Sequence, residues 1–238
     1  MCGPCAVESR SQVQETAAFL HERGVRVMRG GAYKPRTSPN TFQGVGAEGL
    51  EWLAEAARQH GMLTVSEILD ASDLPLFRGT IDVLQIGARN MQNFSLLKAV
   101  GRVCAPVLLK RGMMATVEEF LLAAEYMRRE GTSEIFMCER GIRTFEKWTR
   151  NTLDLSCVPL VQQASNYPVI VDLSHALGRK DITAPLAKAA LACGANGLML
   201  EVHPRPSDAL CDGQQSLSFD EFDRLLDDLN RFLSCRKN

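Results

Sequence analysis

No stretch of this chain holds the run of about 20 apolar residues that a membrane-spanning helix needs. The first residues, Met-Cys-Gly-Pro-Cys-Ala-Val-Glu, lack the basic and apolar regions of a secretory signal. Excess charge of one sign is missing too, since 27 Lys and Arg stand against 28 Asp and Glu for a net charge of -1. That balance offers no electrostatic footprint for nucleic acid or an anionic membrane surface, so neither is expected as a partner. Any cations that matter must be concentrated locally. The 8 cysteines are too sparse in 238 residues for a secreted disulfide scaffold. Reduced thiols and a cytoplasmic location are expected. Low-complexity segments, internal repeats beyond a βα period and a dividing linker are all lacking, which predicts one domain over residues 1–238 with no regulatory domain.

What the chain does have is short apolar runs, at 25–28, 62–65, 81–86, 106–109, 134–138, 168–173 and 197–202. Helical patterns at 11–23, 47–60, 116–130, 181–193 and 219–232 alternate with them. Continuously apolar strands separated by helices mean a parallel sheet covered by helices. With one more strand at the N-terminus there are eight units, the number of a (β/α)8 TIM barrel. The runs stop at charged or metal-capable residues: Arg29, Glu67, Arg89, Lys110, Arg140, His175 and Glu201. In a barrel these strand ends converge on one face, where the βα loops build active sites.

Residues 29–39 form a shaped loop, stiffened by Pro35 and Pro39, that carries Arg29, Lys34, Arg36, Thr37 and Ser38. Such donors grip phosphate or carboxylate; alone, the loop also reads as a solvated basic segment. Together with Arg89, Lys110 and Arg140 it makes a cation cluster that needs anions to share one cavity, because like charges in low dielectric repel by several kcal/mol. Polyanionic ligands are therefore expected. Metal candidates are Cys5, His175, Glu201 and Asp212, with His203 as a competitor on the strand face of Glu201. A carboxylate inside the apolar run 198–202 needs a partner or a metal, and a thiolate, imidazole and carboxylate set suits Mn, Fe, Co or Zn. Cys2 and Cys5 also have Cys-x-x-Cys spacing, but no strand precedes them as a thioredoxin-like site requires.

Gly3-Pro4-Cys5-Ala6-Val7-Glu8, the run from Arg29 to Pro39, Gln85-Ile86-Gly87-Ala88-Arg89-Asn90, Leu109-Lys110-Arg111-Gly112, Cys138-Glu139-Arg140-Gly141-Ile142-Arg143 and Glu201-Val202-His203-Pro204 together resemble the 3-deoxy-D-arabino-heptulosonate 7-phosphate (DAHP) synthases, in their compact form. The resemblance spans nearly the whole chain. It implies the first step of the shikimate pathway, the metal-dependent condensation of phosphoenolpyruvate with erythrose 4-phosphate, in a homodimer or homotetramer. It also implies that Cys5, His175, Glu201 and Asp212 hold the divalent metal, that Arg29, Ala88, Arg89, Lys110 and Arg140 bind phosphoenolpyruvate, and that Lys34, Pro35, Arg36 and Thr37 line the aldose phosphate site. Lys110, Glu67 and His175 are the catalytic candidates, Lys110 as a proton donor and Glu67 as a water-positioning group. Lys-Pro-Arg-Thr at 34–37 favours the four-carbon sugar over arabinose 5-phosphate, and an amino-sugar analogue of the substrate stays open as an alternative.

Three departures from the family pattern carry expectations. Too few residues precede Gly3 for a full first strand, which predicts an unclosed barrel with an exposed sheet edge, and a non-catalytic phosphate-binding barrel is the competing reading. Leu173 replaces a usual proline before Ser174-His175, which predicts an altered setting for the metal-binding histidine. Cys2 replaces a usual alanine, which predicts a Cys2–Cys5 disulfide that expels the metal.

Overall fold

The computed structural model describes residues 1–235; the last three positions of the expected domain, 236–238, lie outside the described residues. Eight parallel strands close into a barrel in sequence order: β1 (Cys2–Gly3), β2 (Val27–Arg29), β3 (Leu63–Ile68), β4 (Val83–Ile86), β5 (Val107–Lys110), β6 (Ile135–Glu139), β7 (Val169–Asp172) and β8 (Gly197–Glu201). Around them run α1 (Arg10–Glu22), α2 (Ala47–Gln59), the short α3 (Leu74–Phe77), α4 (Phe94–Val103), α5 (Val117–Glu130), α6 (Cys157–Ala164), the short α7 (Leu173–Leu177), α8 (Thr183–Ala192) and α9 (Phe219–Cys235). The expected (β/α)8 architecture is therefore present. Among the described residues no helix is long and apolar enough to cross a membrane.

The first strand is as short as expected, but the open edge is not there. Cys2 pairs with Met28 of β2, and Cys2 and Gly3 pair with Leu200 and Glu201 of β8. Beyond Gly3 the chain keeps to the same course, with a parallel bridge from Ala6 to Gly31 and the Val7 N–H donating to the Gly31 carbonyl at 2.9 Å. Two ladder residues suffice because the flanking backbone continues the pairing without strand geometry. Gly3 makes that possible. At φ +148° an added Cβ would lie 2.0 Å from the Arg29 carbonyl oxygen, so only glycine lets β1 approach β2 so closely.

The core has two shells. Outward-facing strand residues such as Met28, Leu84, Val107, Leu109, Met137, Val171 and Leu200 pack against the helices in the larger cluster. Inside the barrel Val65, Val83, Leu108, Cys138, Ile170 and Met199 fill the space, with Val27 against them. Strand side chains alternate with period two. The residues two positions further along the same inward face are Arg29, Glu67, Gln85, Lys110, Arg140, Asp172 and Glu201, so the barrel interior is apolar below and charged above.

Candidate active site

The charged layer opens into a cavity of about 270 Å³ at the C-terminal ends of the strands. Lys34, Pro35, Arg36 and Thr37 line it from the β2–α2 loop, Glu67 from β3, Ala88 and Arg89 after β4, Lys110 from β5, Arg140 after β6, His175 from α7, and Asp212 from the loop after β8. Gly87 gives the Glu67 carboxylate its place, since a Cβ there would lie 1.9 Å from Glu67 Oε1. Gln85 Nε2 donates to Glu67 Oε2 at 3.1 Å.

Six cations face this space, yet among the described residues only two have a carboxylate within ion-pair distance: Lys110 with Asp172, and Arg150 with Asp212. Arg140 donates to the Gly141 and His175 carbonyls, Arg36 to Thr41 Oγ1 and Cys211 Sγ, and Lys34 to the carbonyl and thiol of Cys5. The Arg89 guanidinium has no hydrogen-bond or ion-pair partner among the described residues. Lys34, Arg36, Arg89 and Arg140 thus share one cavity with no carboxylate within ion-pair distance among the described residues. Arg29 differs. It lies beneath the floor, 3% exposed, donating to the Pro4 carbonyl and to Glu201 Oε1 at 3.2 Å.

Cys5, His175, Glu201 and Asp212 bring one donor atom each to within 4.8 Å of one another. His175 and Asp212 face the cavity, while Cys5 and Glu201 are buried behind them. His203 is not part of this group: its Nδ1 accepts the Arg205 N–H, and its Nε2 lies 3.4 Å from Glu8. The short helix that begins at Leu173 carries His175. Asp172 caps α7, accepting the His175 N–H at 3.1 Å, and its Oδ2 lies 2.8 Å from His175 Nδ1.

A buried carboxylate only accepts, so Nδ1 carries the proton and the Nε2 lone pair is turned toward Glu201 Oε1 at 3.3 Å and Asp212 Oδ2 at 3.9 Å. A lone pair facing two carboxylates is repulsive unless a proton or a cation stands between them. The donor set therefore fits a divalent ion, with the carboxylate–histidine arrangement that orients metal-bound imidazoles.

The charges in this nest are set by one another. Burial works against ionisation of Asp172, but His175 and Lys110 overcome it and hold the carboxyl well below the usual range. Burial likewise opposes the Glu201 anion, and His175 with Arg29 outweighs it. Asp212 is brought to about 2 by Arg150 and His175 against its own desolvation. Burial opposes the His175 cation, yet Asp172 and Glu201 raise its pKa. Cys5 and Cys211 share a proton across 3.4 Å. The hydrogen bond to Cys211, followed by burial, drives the Cys5 thiol up, while the same contact brings Cys211 down to about 7.

Sequence reasoning missed Gln85, Asp172, Arg150, Cys211 and Gln215 as site residues. Gln85 and Asp172 follow the period-two rule above. Cys211 precedes a named metal candidate, but nothing local marked its approach to Cys5, and Arg150 and Gln215 sit on loops whose paths leave no spacing signal.

The chain is 55% identical over 231 residues to a phospho-2-dehydro-3-deoxyheptonate aldolase of Thermotoga maritima, covering 97% of this chain and 68% of that one. It is 31% identical over 245 residues to a 2-dehydro-3-deoxyphosphooctonate aldolase of Syntrophobacter fumaroxidans, covering 95% and 84%. A solved structure of the Thermotoga maritima DAHP synthase superposes with a TM-score of 0.95 at 54% identity, over 99% of this chain and 69% of that one. A truncated form of 3-deoxy-D-arabino-heptulosonate 7-phosphate synthase from the same organism gives 0.91 at 51%, over 98% and 86%. With residues 1–234 matching its family pattern, the chain belongs to the DAHP synthetase I family.

Proposed function

We propose that this barrel is the catalytic unit of a 3-deoxy-7-phosphoheptulonate synthase, which condenses phosphoenolpyruvate with erythrose 4-phosphate and releases inorganic phosphate. The observation that carries this reading is the pairing of four uncompensated cations with a metal-donor quartet in one cavity. Two phosphorylated substrates, one also a carboxylate, supply the missing negative charge. Arg89 and Arg140, with Lys110 and the backbone at Ala88, take phosphoenolpyruvate. Lys34, Pro35, Arg36 and Thr37 take the aldose phosphate, and Arg29 joins the phosphoenolpyruvate seat while holding Glu201.

A divalent ion such as Mn, Fe, Co or Zn, held by Cys5, His175, Glu201 and Asp212, would polarise the aldehyde carbonyl as a Lewis acid. The residues do the rest. Their grip on both phosphates brings carbon 3 of phosphoenolpyruvate against the aldehyde carbon, where positioning alone is worth several kcal/mol. Lys110 Nζ, held by Asp172, carries the proton that the aldehyde oxygen needs to become a hydroxyl. Glu67, fixed by Gln85, orients the water that adds at carbon 2 before the carbon–oxygen bond to phosphate breaks.

The test is the loss of phosphoenolpyruvate absorbance with Mn(II), comparing erythrose 4-phosphate with arabinose 5-phosphate, before and after chelation. We expect chelator-sensitive turnover with the four-carbon sugar. Lys110→Met should lower kcat by roughly 10²–10⁴-fold with metal content unchanged. Turnover with arabinose 5-phosphate alone would move the chain to the octonate branch, and silence with both sugars would favour a non-catalytic barrel.

A further inference from the structure

We propose that Gln215 and Arg150 form a positioning bridge that keeps Glu201 and Asp212 in ligating register for the metal. The inference rests on the reading of the quartet as a metal site. Glu201 and Asp212 come from different segments, a strand end and the loop beyond it, and neither segment alone fixes one carboxylate relative to the other.

A continuous chain of hydrogen bonds joins them. One guanidinium nitrogen of Arg150 donates to Asp212 Oδ2 at 3.3 Å and to Gln215 Oε1 at 3.1 Å, and Gln215 Nε2 donates to Glu201 Oε2 at 2.6 Å. Glu201 Oε1 is thereby left turned to His175 Nε2 at 3.3 Å. The backbone of Arg150 is tied to the end of the helix that carries His175, its N–H donating to the Leu177 carbonyl at 2.9 Å. The bridge thus touches the segments of three of the four donors.

The chemistry at each end dictates the side chain between them. A guanidinium only donates and a carboxylate only accepts, so the linking group must accept at one end and donate at the other while staying neutral. An amide does this. Gln215 is 2% exposed, and a buried amide with a wasted donor or acceptor costs stability. Its orientation is therefore fixed by both neighbours.

The sign of the Arg150 effect separates positioning from simple electrostatics. A cation beside a metal site repels the metal, so its removal would tighten binding if charge alone mattered. If Arg150 positions Asp212 and Gln215, its removal loosens the metal, and loss of an outer hydrogen-bonding partner of this kind typically costs 10–100-fold in affinity.

The experiment titrates metal-free protein with Co(II), following the thiolate charge-transfer band of Cys5 and the ligand-field bands, with dissociation constants from chelator competition. Gln215→Met and Arg150→Met should each bind Co(II) about 10–100-fold more weakly, with the thiolate band kept and the ligand-field bands shifted. Arg150→Lys, which can still donate to both acceptors, should recover much of the affinity. Circular dichroism checks that each metal-free variant is folded, and Gln215→Asn replaces Gln215→Met with the same expectation if the latter is not. Unchanged affinity and spectrum in the Gln215 variant, or tighter binding in Arg150→Met, overturns the bridge. Wild-type protein that takes up Co(II) yet condenses neither sugar would overturn the functional reading and leave the bridge standing; wild-type protein that takes up none overturns both.

Discussion

Single side chains decide how vulnerable this site is to oxidation. Cys2 faces outward into the helix-packed core with Met28 and Leu200, whereas Cys5 clusters with Cys211. The disulfide expected between Cys2 and Cys5 is therefore corrected: the thiol facing Cys5 is Cys211, at 3.4 Å. Arg36 and Lys34 beside the pair favour its thiolate form, and the thiolate is the attacking species. In metal-free protein hydrogen peroxide should join Cys5 to Cys211, consuming two S–H bonds and one O–O bond and giving one S–S bond and two waters. Non-reducing peptide mapping checks this. Cys211→Ser should resist the treatment and Cys2→Ala should remain as sensitive as the parent; protection by Cys2→Ala would reinstate the sequence expectation.

Among the elements, β1 carries the most consequence per residue. Gly3→Ala would press a Cβ into the Arg29 carbonyl at 2.0 Å, at a φ that L side chains rarely adopt. Gly24→Ala is the matched control, because Gly24 also has positive φ (+73°) but nothing within 4 Å of an added Cβ. Urea unfolding should show about 1–2 kcal/mol lost in the control and clearly more in Gly3→Ala; equal losses would mean that β1 has room to move. This contrast also marks what the sequence could and could not reveal. Strands β2 to β8 were legible because buried parallel strands are continuous apolar runs, and the end of each run led straight to Glu67, Lys110 and Glu201. Asp172 and Gln85 were equally legible to anyone who counted two residues on from the buried Ile170 and Val83. Closure was not, because it depends on the register of Cys2 against Leu200 and on a bridge from Ala6 to Gly31, neither of which has a local pattern. Helix α6 also escaped, since its eight residues, 157–164, include a proline and no charge. The reach of Arg150 into the cavity depends on the path of the whole β6–α6 loop, and spacing says nothing about it.

For the whole molecule, the balanced total charge conceals a local excess: the net charge is -1, yet Lys34, Arg36, Arg89 and Arg140 crowd one cavity without carboxylate partners among the described residues. Their repulsion destabilises the ligand-free protein, and a bound anion relieves it. Phosphoenolpyruvate at about 100 times its Kd should stabilise the fold by roughly 2.7 kcal/mol, raising Tm by several degrees in a thermal melt. Arg89→Ala should lose most of that rise; an undiminished shift would place the anion seat elsewhere. The same global view gives the short first strand another meaning. Cys5 follows the first strand, Glu201 ends the last, and Asp212 lies just beyond it, 207 positions from Cys5. The donors therefore straddle the seam where the two ends of the sheet meet, and no partly assembled sheet that lacks either end can hold all four. An ion held by all four would act as a clasp, tying the start of the sheet to its end.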